Sequence, residues 1–71
     1  MKAGYIGIDQ YNTTYFIKKY PRKELLEKLG YKHAEKMYVD DTKTGKARHC
    51  GYVIGGLWIS VYEVHPINEG D

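Results

Sequence analysis

The stretch ARHCGYVIGGLWISVYEVHP, residues 47–66, decides the fold. Gly55 and Gly56 stand between two runs rich in β-branched and aromatic residues, and both can take the positive φ that a two-residue hairpin turn requires. Such a turn fixes the register: Ile54 opposes Leu57, Tyr52 opposes Ile59, Cys50 opposes Val61, Arg48 opposes Glu63 and Lys46 opposes His65. Directly opposed residues share a face. Ile54, Leu57, Tyr52, Ile59, Cys50 and Val61 therefore form an apolar core face that ends in an opposite-charge pair. The other face takes Val53 with Trp58, Gly51 with Ser60, His49 with Tyr62 and Ala47 with Val64, so that two aromatics and a histidine flank a low saddle of Gly51 and Ser60.

Upstream, AEKMYVD at 34–40 reads as another strand and DTKTG at 41–45 as a polar turn. Counting back through a four-residue turn puts Met37 and Val39 on the core face and Tyr38 beside His49, an assignment that a one-residue slip would reverse. The expected second face is then lined by Lys36, Tyr38, His49, Trp58 and Tyr62. Aromatics with a cation or two make up protein-interaction hot spots, and they also make stacking platforms for bases. The same residues suit packing instead if another layer, the N-terminal hairpin or a second subunit, lies over them.

Toward the N-terminus, AGYIGI (3–8) and TYFIKKY (14–20) read as two strands joined by DQYN, in which Asp9 and Asn12 can cap the turn and tolerate left-handed backbone angles. Pro21 suits the first turn of a helix, and RKELLEKLG places Leu25, Leu26 and Leu29 on one side before Gly30 ends the run. Glu24 and Lys28 are spaced as a favourable i,i+4 pair. Arg22 and Lys23 sit at the positive end of the helix dipole, where cations are unfavourable. With Lys18 and Lys19 they form a basic cluster that a phosphate or acidic partner at the helix N-terminus would match. The order is ββαβββ, with a helix over 21–29 and strands over 3–8, 14–20, 34–40, 46–54 and 57–65. The expected fold is α+β, one small domain over 1–71, in which an antiparallel sheet with a C-terminal three-stranded meander is covered by one short helix.

Seventy-one residues leave room for one small core. An apolar fraction of 42% with 28% charged residues disfavours wholesale disorder. Eight tyrosines suit both strands and recognition surfaces. The single cysteine, Cys50, cannot form a disulfide within the chain, which fits a reducing cytoplasm. MKAGYIGIDQ lacks the apolar run of a signal peptide, and no stretch of about 20 apolar residues suggests a membrane span. A net charge of +2 does not by itself predict nucleic-acid binding, although Glu63, Glu69 and Asp71 leave the C-terminal end acidic.

Motif chemistry is sparse. His49 and Cys50 are adjacent, so a regular strand points them to opposite faces, and His33 and His65 add no C-x-x-C or H-x-x-x-H spacing. Neither a metal site nor a Cys–His nucleophile is expected. GYIGIDQ leads into no helix and GGLWIS opens a strand, so neither is a phosphate-binding loop. No cofactor and no small-molecule substrate are predicted. His49 beside Tyr38 or Tyr62 is the one weak candidate for acid–base work.

KELLEKLGYK at 23–32, followed by three strands and His65-Pro66, resembles the start of the HicA-type toxins, small RNA-cleaving proteins with a double-stranded-RNA-binding-like fold. That family's catalytic histidine lies in a Gly-Ser-His context after the helix, whereas His33 here lies in Tyr-Lys-His-Ala and His49 in Ala-Arg-His-Cys. The resemblance implies a nuclease reading that would use His49. The leading expectation is a non-enzymatic binding or regulatory module, of a size that phage and plasmid regulators have, docking a protein or its own copy through the aromatic face. The alternative is a nucleic-acid binder that adds Lys18, Lys19, Arg22 and Lys23 to the same face.

Overall fold

A computed structural model describes residues 3–65. The expectations that involve Pro66, Glu69 and Asp71 lie outside the described residues. Along the chain run β1 (Gly4–Ile8), β2 (Thr14–Ile17), α1 (Pro21–Leu29), β3 (Glu35–Asp40), β4 (Ala47–Ile54) and β5 (Leu57–Val64). They form one α+β domain with a single antiparallel sheet in the order β2-β1-β5-β4-β3. The N-terminal hairpin is not a second layer. It joins the sheet edge to edge, with Ile6 opposite Tyr62 and Ile8 opposite Ser60, and so makes β5 the central strand.

The β4–β5 turn takes the expected form, with φ of 54° at Gly55 and 82° at Gly56. The ladder behind it pairs Ile54 with Leu57, Val53 with Trp58, Tyr52 with Ile59 and Gly51 with Ser60. In the β1–β2 loop Asn12 adopts φ 64°, and the Asp9 carboxylate accepts the Tyr11 and Thr13 N–H groups and the Tyr15 hydroxyl. Burial pushes the Asp9 pKa up, but those hydrogen bonds outweigh it and hold the carboxyl below its ordinary value. Gln10 then ties the two hairpins together: its Nε2 donates to the Gly56 carbonyl and its Oε1 accepts the Trp58 N–H.

α1 begins at Pro21 and closes on Gly30. Its inward residues Leu25 and Leu26 meet Ile17, Ala34, Ile54 and Ile59 in the core, with Tyr5, Tyr15, Leu29, Tyr52, Leu57 and Val61 packed around them. Each fully buried Leu or Ile contributes about 1.5–3 kcal/mol, and so short a roster leaves the domain only modestly stable. β2 stops at Ile17 rather than running to 20, because the N–H groups of Lys18, Lys19 and Tyr20 are all given to the Glu24 carboxylate at 2.8 Å.

One feature breaks the expected alternation. In the β3–β4 ladder Met37 opposes Gly51 while Tyr38 opposes His49, so Cys50 is an extra residue and β4 bulges there. The β4–β5 ladder ends at Gly51 and Ser60. The expected pairs of Cys50 with Val61, Arg48 with Glu63 and Lys46 with His65 are not part of it; His65, just past β5, meets Glu63 at 3.2 Å. At Gly51, where the ladder ends, the space of a Cβ is taken by the Ile59 carbonyl. Only glycine lets the strands approach so closely, and beyond it β3 and β4 run on as a ribbon in which every residue from 42 to 49 is exposed.

Candidate functional site

α1 covers one face of the sheet. Among the described residues no element lies over the other face, and the register shows what that face carries. One row across the strands is Phe16, Ile6 and Tyr62; the next is Thr14, Ile8, Ser60, Gly51 and Met37; a third is Trp58, Val53 and Glu35. Phe16 is 70% exposed, Trp58 59% and Tyr62 57%. Trp58 and Tyr62 stand on β5 on either side of Ser60, two posts around a low floor. Beside them opens a groove of about 460 Å³ bordered by Ile8, Ser60 and Cys50 and by Met37 and Val39 of the ribbon.

The structure keeps only part of the sequence-expected face together. Trp58 and Tyr62 share the uncovered side, opposite the core, as their alternation requires. Tyr38 borders the same groove as both of them, although its ring also meets His49. Lys36 and His49 do not join them. Lys36 opposes Tyr52, which belongs to the helix-covered side. His49 is carried to that same side by the bulge: its ring meets Tyr52 edge-on at 4.9 Å and Tyr38 at 5.7 Å, and its Nε2 lies 2.8 Å from the Gly51 carbonyl. Met37 and Val39, expected in the core, move the other way and border the outer groove. Cys50, also expected inward, is half-buried at the bulge, with its thiol donating to the Met37 carbonyl at 3.4 Å.

Sequence reasoning missed Phe16, Ile6 and Ile8 as members of the face. The alternation of Tyr5, Ile6, Gly7 and Ile8 carries their sidedness, but only the pairing of β1 with β5 brings them beside Tyr62 and Ser60.

The basic cluster has a different setting from the one its sequence suggests. Arg22 and Lys23 stand at the start of α1, beside a cleft of about 550 Å³ shared with Tyr20, Pro21 and Tyr52 on the helix-covered side. Lys19 lies over the Tyr20 ring, 5.4 Å from its centroid. The backbone donors that would cradle an anion here already hold Glu24. Hydrogen bonds from the Lys18, Lys19 and Tyr20 N–H groups lower its pKa from 4.5 to about 2, with a lesser contribution from Lys28. The expected Glu24–Lys28 pair is thus secondary to a carboxylate that fills the turn before the helix.

Among the described residues no three of His, Cys, Asp and Glu gather as metal ligands, and no helix is long and apolar enough to cross a membrane. The fold and face define a class: a small α+β domain with a one-sided helix cover and an open, aromatic sheet. No protein-family model matches the chain, and no match emerges among curated proteins or solved structures.

Proposed function

We propose that this chain is a non-enzymatic binding module that docks a protein partner through the uncovered sheet face, acting in the reducing cytoplasm that its lone Cys50 suits. The observation that carries the reading is the concentration of exposed aromatics on that one face, with Phe16, Trp58 and Tyr62 each more than half exposed around Ile6, Ile8 and Val53. A contiguous apolar patch of this kind is costly to leave in water and marks an interaction surface. The nucleic-acid alternative fits less well. Arg22 and Lys23 stand on the opposite side of the sheet from Trp58, so a single strand stacked on the aromatics would meet Lys18, which lies beside Phe16 and Ile6, but not those two. The nuclease reading weakens too, since the Nε2 of His49 is engaged by the Gly51 carbonyl.

The test compares wild-type protein with Trp58→Glu as tagged baits in the native cell, with and without nuclease. A protein partner retained by the wild type regardless of nuclease and lost with Trp58→Glu supports the reading. Capture that nuclease abolishes contradicts it.

A further inference from the structure

The open face carries its own complement, and we infer that its occupant is a second copy of this chain, packed sheet on sheet about a two-fold axis. This inference rests on the reading of that face as a docking surface. A two-fold interface places one patch against itself, so the patch must offer a knob and a hole that exchange between copies. Here Trp58 is the knob, 59% exposed, and the Gly51–Ser60 saddle beside it is the hole. Gly51 has no side chain and Ser60 a small one, so the indole of one copy can lie over the saddle of the other.

Charge agrees with this arrangement. A face stacked on itself must avoid like charges in register. Within the three rows the one Asp, Glu, Lys, Arg or His is Glu35, at the β3 rim beside Val53; Asp9 borders the groove with its carboxylate taken up by Tyr11, Thr13 and Tyr15, and Lys18 lies at the β1–β2 edge beside Phe16 and Ile6.

Area sets the strength. Five strands about 4.8 Å apart and about six residues long at about 3.3 Å each give a footprint of at most about 24 by 20 Å, or about 480 Å². That is below the roughly 800 Å² per partner of a standard stable interface and suits a dimer that forms as concentration rises. Stability supplies the motive. Among the described residues the apolar core is Ile17, Leu25, Leu26, Ala34, Ile54 and Ile59, and the one cysteine of the chain gives no internal disulfide. Small domains with so little core are commonly completed by oligomerisation. A second copy is present wherever the chain is made, and the sandwich it forms gives each protomer a second apolar layer.

Sedimentation of the purified full chain over a range of concentrations tests the inference. The expected mass is twice the 8.2 kDa of one chain. Trp58→Glu, which charges the knob, and Ser60→Phe, which fills the saddle, should each weaken association by at least about thirtyfold while circular dichroism remains that of the folded domain. Arg22→Glu, on the helix side, should leave the dimer unchanged. A wild-type chain that stays monomeric overturns the inference, as does a dimer that both face variants leave intact. A monomer that still captures a different protein and loses it with Trp58→Glu overturns self-association alone and preserves the docking face.

Discussion

The His49 ring stands edge-on to the Tyr52 ring, with centroids 4.9 Å apart, although three positions along one strand separate the two residues and regular alternation would put them on opposite faces. The bulge at Cys50 removes that separation. It takes His49 away from Trp58 and Tyr62 and leaves the outer face without a titratable base near its centre. Docking through the sheet face should therefore be indifferent to His49→Ala, whereas Trp58→Ala should weaken it at least about tenfold. Titration calorimetry against the partner, or sedimentation for self-association, checks the contrast. Equal losses from the two variants would show that the bulge does not separate the residues.

The close approach of β4 to β5 depends on Gly51. A methyl group there would collide with the Ile59 carbonyl, a backbone atom that cannot swing away. Gly51→Ala should destabilise the domain by about 2 kcal/mol or more in urea unfolding. Ser60→Ala, at the position directly opposite, should remain within about 0.5 kcal/mol.

Glu24 makes stability dependent on acid. Its folded pKa of about 2 lies below the ordinary 4.5, so the stability it contributes is present above pH 4.5 and is lost as pH falls toward 2. Glu24→Gln removes that dependence. Thermal unfolding should show the wild type more stable than Glu24→Gln at neutral pH and the gap closing between pH 4.5 and 2. A gap that is constant across that window would mean that the carboxylate does not hold the three N–H groups.

Core and face should answer differently to truncation. Ile59 is fully buried, and Ile59→Ala should cost about 2–5 kcal/mol at any protein concentration. Trp58→Ala should cost less than about 0.5 kcal/mol at dilution, where the monomer dominates, and more as concentration rises. Chemical denaturation at two protein concentrations separates the cases.

These contrasts also mark how far the sequence could be read. Gly55-Gly56 carried the turn, the register from Ile54↔Leu57 to Gly51↔Ser60, and the placement of Ile59 inward and Trp58 outward, because a two-residue turn leaves no freedom in pairing. Pro21 and Gly30 likewise bounded the helix. Past Gly51 the register expectation failed, since a bulge adds one residue to one strand without altering the apolar pattern. The signal was the isolated glycine within β4, which marks a bulge or a close backbone approach. The partnership of β1 with β5 had no local signal: Ile6 and Tyr62 lie far apart in the chain and meet only through the sheet order. For the same reason Phe16 was not legible as a neighbour of the aromatic face. Glu24 was visible only as a helix-surface partner of Lys28, because the turn that presents three N–H groups to it is a tertiary feature.

Trp58 is the single tryptophan of the chain, so its fluorescence reports on the uncovered sheet face alone. Iodide quenching of that emission, followed as the protein is concentrated and as any captured partner is added, measures directly whether the face is a docking surface. The account predicts strong quenching in dilute protein and protection, with a blue-shifted emission, once the face is occupied. An indole already protected at dilution, or one that stays fully quenchable in every assembly the chain forms, would contradict it.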